Sequence, residues 1–160
     1  MDRETRDMLL ETAGRFFTER CGKDVVNGVE KGVWPRDLWK EIEEMGLPLI
    51  AVPEEQEGVG GTLADLMALL RVAGEHAVPV PLAETALANL LIAASGGKPA
   101  TGPAALALGN LSLSGNRLTG KVAGAPLPSS GIGVRKAGRS CIVARPRSAR
   151  LPRGCSTSTG

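Results

Sequence analysis

Through residue 97 apolar side chains recur every three to four positions, and beyond it the recurrence shortens to two. From Asp2 to about Arg20, the residues Met8, Leu9, Thr12, Ala13, Phe16 and Phe17 share one face while Arg and Glu fill the other positions, which predicts an amphipathic helix. Residues 21–33 hold Gly22, Gly28 and Gly32 and show no period, so they read as a loop. Pro35 suits the first position of a second helix, where its missing N–H costs nothing. Leu38, Trp39, Ile42 and Met45 then form a stripe, and Gly46 supplies the left-handed residue that ends it. Residues 47–52 are apolar but include Pro48 and run into Pro53, which predicts an irregular buried crossing rather than a central strand.

Thr62-Leu63-Ala64-Asp65 approximates a capping box, with Asp where Glu or Gln is commoner. Leu63, Leu66, Met67, Leu70 and Ala73 follow on one face, predicting a helix to about His76. Pro79 and Pro81 interrupt it, and the second starts a further helix that runs to about Ala94 and stops at Gly96 and Gly97. Its periodic face is Leu87, Leu90, Leu91 and Ala94, with Thr85, Ala88 and Ile92 rotated to one side. The expected fold is therefore mainly α, a four-helix bundle of orthogonal or up-and-down type over residues 1–97. Short strands are expected over 105–108, 111–114 and 117–122, the last two joined as a hairpin through Gly115-Asn116.

Charge changes this picture beyond residue 123. All 17 acidic residues lie at or before Glu84. Residues 1–127 carry a net charge of −5, whereas 128–160 carry +7 from Arg135, Lys136, Arg139, Arg145, Arg147, Arg150 and Arg153. Gly, Ser, Pro and Arg dominate there, and brief apolar pieces such as Cys141-Ile142-Val143-Ala144 do not offset the entropy of ordering their surroundings. Residues 124–160 thus read as a disordered basic tail. The composition is also what a GC-rich gene yields in a wrong frame, so a frameshift near residue 123 is expected.

Cys21, Cys141 and Cys155 are odd in number and widely spaced, which supports neither a disulfide framework nor a zinc site and favours a reducing, cytoplasmic setting. The N-terminus is of mixed charge and does not resemble a signal peptide. The longest apolar run, 86–94, is far short of the roughly 18 residues a membrane span needs.

Candidate chemistry is sparse. Glu54 and Glu55 are paired carboxylates, but sequence neighbours rarely face each other across a substrate. His76, the one histidine, has no ligand or base partner at a useful spacing and reads as a helix-terminal residue. Gly58, Gly60 and Gly61 follow proline-rich irregular chain rather than a strand, so a flexible loop with positive φ is expected instead of a nucleotide site. The basic tail has no aromatic to stack on bases, and nucleic-acid binding is not expected.

Several motifs nevertheless stand in a distinctive order: W-x-x-L-W-x-x-I-x-x-M-G-L over 34–47, V-P-E-E over 52–55, G-x-G-G over 58–61 and P-x-P-L-A-E-T over 79–85. In that order the chain resembles the N-terminal helical domain of the acyl-CoA dehydrogenase family, and residues 98–123 resemble the opening of its β-domain. The resemblance implies FAD-dependent oxidation of the Cα–Cβ bond of an acyl-CoA thioester, a glutamate removing the α-proton while hydride passes to the flavin. It further implies that Glu84, Thr85, Ala88 and Ile92 line part of the acyl-chain channel. In the family the flavin is held mainly by the middle domain and a neighbouring subunit, and the base lies in the C-terminal helical domain. No T-E-P-x-x-G-S segment is found and no residue is assigned as catalytic base, so a truncated, inactive chain is expected. The alternative is a non-catalytic helical module that docks, through exposed helix faces, on a dehydrogenase partner or a second copy.

Overall fold

The computed structural model describes residues 2–107 and the strand segments 112–114, 117–119, 132–137 and 141–146, with side chains described through Ala104 and at Leu106. The described chain is mainly helical. Five α-helices appear in order: α1 (Arg3–Arg20), α2 (Lys23–Glu30), α3 (Arg36–Glu44), α4 (Leu63–Glu75) and α5 (Leu82–Ala94). Two single 3-10 turns, Leu47–Leu49 and Glu54–Gln56, bridge α3 to α4.

The helix α2 corrects the expected loop over 21–33, so five helices replace the expected four. Its valines and Gly28 have low intrinsic helix propensity, which hid the short apolar face of Val25, Val26 and Val29. Two things hold it. Val25 packs against the main core. Its end is closed by Gly32 at φ 83, with the Gly32 N–H donating to Val29 O and the Val33 N–H to Gly28 O, both at 2.9 Å, which is the Schellman pattern. The same device closes α5, where the Gly96 and Gly97 N–H groups donate to Ala93 O and Ile92 O at 2.9 Å. Pro35 precedes α3 by one residue rather than occupying its first position.

Helices α1 and α4 run in the same direction: Arg6 meets Asp65 near their N-termini, and Gly14 faces Val72 and His76 further along both. Ala13 and Phe17 from α1, Leu38, Trp39 and Ile42 from α3, Leu66, Leu69, Val72 and Ala73 from α4, and Leu82 and Ala86 from α5 enclose one core. Leu47, Ile50 and Ala51 of the irregular crossing lie inside it, as the expected buried crossing requires.

Three expected faces are corrected in part. Met8 stands outside the core at 61% exposure. On α4 the buried side is Asp65, Leu66, Leu69, Val72 and Ala73, while Leu63 and Met67 are 54% and 45% exposed. On α5 the buried side is Leu82, Thr85, Ala86, Ala88, Asn89, Ile92 and Ala93, with Leu87, Leu90 and Leu91 half-buried and Ala94 exposed. Both helices are apolar nearly all round, and in such a helix neighbouring elements choose the buried side, not the period.

Beyond Ala104 the described backbone consists of short strands. Ala105–Ala107 (β1) pairs antiparallel with Cys141–Pro146 (β5), which pairs with Ile132–Ala137 (β4); Ser112–Ser114 (β2) pairs with Arg117–Thr119 (β3). Gly115-Asn116 and, apart from β4 and β5, the expected disordered tail over 124–160 lie outside the described residues.

Candidate functional site

Helix α5 starts directly after Pro81, whose carbonyl accepts from the Thr85 N–H at 3.0 Å. Starting there, 3.6 residues per turn bring Thr85, Ala88 and Ile92 onto one side, with Asn89 a turn beyond Thr85. The structure does bring three of the expected site residues together. Thr85, Ala88 and Ile92 are all buried, and Ala88 and Ile92 form a small cluster with Ala100 and Ala104, flanked by Leu91 and Leu106. Glu84 is half-buried beside them.

Residues 98–104 cross this face as a non-helical segment, bent at 101–102 and tied by side chains of α5. The Thr85 hydroxyl donates to Pro81 O at 2.7 Å and accepts from the Ala104 N–H at 2.9 Å. Asn89, fully buried, uses both ends of its amide: Nδ2 donates to Pro48 O at 3.3 Å and Oδ1 accepts from the Ala100 N–H at 2.8 Å. A chain crossing a helix has no ladder partner for its N–H groups, so these two side chains stand in for one. In the sequence Asn89 appears only as an interruption of an apolar run. The signal was there, because an amide on an otherwise apolar helix face requires partners.

At the rim, Lys98 pairs with Glu57 at 2.9 Å, and the Gly102 N–H donates to Glu43 Oε1 at 2.6 Å.

The other candidates resolve into structural roles. Glu54 and Glu55 are exposed on a 3-10 turn. His76 caps the C-terminus of α4 and lies half-buried against Phe17, ring centroids 6.3 Å apart. The expected flexible glycine loop is corrected: its N–H groups at Gly58, Val59, Gly60 and Gly61 donate to Pro53 O, Leu49 O, Val52 O and Ile50 O at 2.8–3.2 Å. Gly60 does have positive φ, at 74°. Gly58 is required for a different reason, since a Cβ there would lie 2.1 Å from Val52 O.

Electrostatic organisation centres on Asp65 at the start of α4. Its Oδ2 accepts from the Thr62 N–H at 2.7 Å and from the Thr62 hydroxyl at 2.8 Å, and its Oδ1 stands 3.5 Å from Arg6 Nη1. The Thr62 N–H and hydroxyl, with Arg6 adding to them, hold its carboxyl below the usual carboxylate range. This completes the capping box with Asp in the third position. It is a structural role, remote in kind from proton transfer.

Among the described residues no group of His, Cys, Asp and Glu is arranged to hold a metal ion, and no helix is long and apolar enough to cross a membrane. The glycine loop offers no cradle for a pyrophosphate. The glycine-loop N–H groups that a pyrophosphate would need are already taken by backbone carbonyls.

Comparison with known proteins bears on the helical part of the chain. The family described as acyl-CoA dehydrogenase, N-terminal domain, matches residues 3–99. The acyl-CoA dehydrogenase IpdE2 of Mycobacterium tuberculosis is 33% identical over 96 residues, covering 58% of this chain and 30% of that protein. Its counterpart in Mycolicibacterium smegmatis is 33% identical over 97 residues, covering 58% and 31%. The acyl-CoA dehydrogenase FadE34 of M. tuberculosis is 37% identical over 73 residues, covering 44% of this chain and 10% of that protein. The chain thus spans less than a third of the length of these curated relatives. No solved structure matches it.

Proposed function

The chain belongs to the acyl-CoA dehydrogenase family, residues 3–99 being its N-terminal domain, and we propose that this domain supplies part of the wall against which the acyl chain of a CoA thioester lies. The wall is the face of α5 formed by Thr85, Ala88 and Ile92, with Glu84 at its edge. One observation carries the reading: these side chains, two of them small, form a continuous side of a helix whose other flank is built into the main core. A wall for a methylene chain needs such a surface, apolar and held in place from behind.

The reaction proposed for the complete assembly is the family's, FAD-dependent oxidation of the Cα–Cβ bond. The flavin and the base are assigned to chain outside residues 3–99, which is supported by the fit failure of the glycine loop and by the share of the relatives that remains unmatched. The described residues then contribute positioning and exclusion of water, not electron transfer.

Calorimetric titration of the full chain with acyl-CoAs of increasing length tests this. Affinity should rise with each added methylene toward about 0.8 kcal/mol per buried CH2, with no visible flavin spectrum and no acyl-CoA-dependent dye reduction. Affinities equal to that of free CoA at every length would refute it. A second reading, a helical module docking on a dehydrogenase partner, draws on the exposed Leu63 and Met67 one turn apart on α4.

A further inference from the structure

Helix α4 carries two apolar seams, and the fold buries one of them. Leu66, Leu69, Val72 and Ala73 lie in the main core. At 3.6 residues per turn, Leu63, Met67, Leu70 and Gly74 line a second side, spaced four, three and four residues apart as in a helix–helix contact seam. Leu63 and Met67 remain 54% and 45% exposed, Leu70 is half-buried and Gly74 is exposed. A solvated helix face is ordinarily charged or polar, whereas this seam carries no charge.

Gly74 singles out what fits the seam. Glycine is a poor residue inside a helix, and nothing lies within 4 Å of where a Cβ on Gly74 would stand, so packing within the chain does not require it. Its smallness matches a neighbour from outside. Antiparallel pairing of α4 with α4 of a second copy, about a two-fold axis between residues 68 and 69, sets Leu63 opposite Gly74 and Met67 opposite Leu70. Large meets small at the ends, and similar volumes meet in the middle. Parallel pairing would leave a gap where glycine faced glycine. Charge agrees with the antiparallel arrangement. Arg71, paired along the helix with Glu75, then faces Ala64 of the copy, and the acidic end at Glu75 lies alongside the copy's helix N-terminus, where negative charge is favourable.

We propose that the α4 seam of Leu63, Met67, Leu70 and Gly74 is a self-association surface through which two copies of the chain pair antiparallel. The pairing is independent of the acyl-wall reading, since Thr85, Ala88 and Ile92 are buried on α5. It assigns the exposed Leu63 and Met67 to a second copy rather than to a dehydrogenase partner. The surface is small, because one seam of one helix falls short of the roughly 800 Å² per partner that a standard interface buries. Pairing is therefore weak and reversible, with a dissociation constant on the order of 100 µM.

Sedimentation velocity of the full chain from about 10 µM to about 1 mM, with Met67→Glu and Met67→Lys as variants, tests this. Position 67 is exposed and both replacements favour helix, so the fold is retained, which circular dichroism checks. The chain should pass from monomer to dimer across that range and stop there, because a two-fold contact closes on itself. Each variant alone should dimerise about tenfold or more weakly, since like charges then stand within a turn of the axis. An equimolar mixture of the two variants should recover dimerisation, because opposite charges then meet across the axis. A chain that stays monomeric throughout, grows beyond the dimer, or dimerises equally well as Met67→Glu overturns the α4 pairing. So does weakening by both variants without recovery in the mixture, which would separate loss of a face from two such faces opposed. Each of these failures leaves the acyl wall standing, because that wall is tested by the rise of acyl-CoA affinity with chain length.

Discussion

The Ala104 N–H donates to the Thr85 hydroxyl at 2.9 Å, a bond between the helix that bears the candidate wall and the segment that covers it. Both residues are buried, so the N–H has no water to fall back on. Thr85→Val keeps the shape and removes the acceptor. It should cost about 1–3 kcal/mol of unfolding free energy, the penalty of an unpaired buried donor. Thr85→Ser, which keeps the hydroxyl, should cost less than Thr85→Val in the same urea titration.

Asp65 links stability to pH in a definite direction. Its folded-state carboxyl is held below the ordinary value of 3.8, first by Thr62 and then by Arg6. A depressed folded pKa contributes stability that is fully present above the unfolded value and is lost as pH falls through the folded one. Acid titration followed by circular dichroism should therefore show a decline that begins near the ordinary value and continues below it. Asp65→Asn should flatten that decline and cost about 1 kcal/mol at neutral pH through loss of the cap. Arg6→Ala, removing only a half-exposed partner, should cost less.

Ala77 occupies the left-handed region at φ 47, in the closing position after α4 that glycine fills after α2, α3 and α5. An L side chain there carries roughly 1–2 kcal/mol of strain. Ala77→Gly should raise stability by about 0.5–1 kcal/mol, once the added freedom of the unfolded chain is subtracted. A thermal midpoint that falls would contradict the assignment.

Gly58 predicts the opposite. A methyl added there would meet the Val52 carbonyl oxygen at 2.1 Å, and the obstacle is backbone. Gly58→Ala should destabilise by about 3 kcal/mol or more, as overpacking against an unyielding neighbour does. Gly74→Ala, where nothing lies within 4 Å, should be neutral or stabilising.

These contrasts show where the sequence was readable. The α3 stripe of Leu38, Trp39 and Ile42 and the Thr62–Asp65 cap are local patterns, and local patterns survive folding. The direction faced by α4 and α5 was not readable, because Leu and Ala recur around both helices and only the packing partner decides what is covered. Helix α2 was hidden by the low propensity of its valines and Gly28 and is held by tertiary contact and a glycine closure. Of the candidate site, Thr85, Ala88 and Ile92 were legible as one side of a helix. The pairing of Asn89 with Ala100, eleven residues away, was not, since no spacing rule connects a side chain to a backbone N–H across a loop.

The measurement that bears most directly on the proposed acyl wall of α5 is photoaffinity labelling of the full chain with an acyl-CoA bearing a diazirine near the end of its acyl chain, read by peptide mass spectrometry. Labels should concentrate on α5 around Thr85, Ala88 and Ile92 and be suppressed by excess unlabelled acyl-CoA. Competable labelling confined to α1, α3 or the outer face of α4 around Leu63 and Met67 would contradict it.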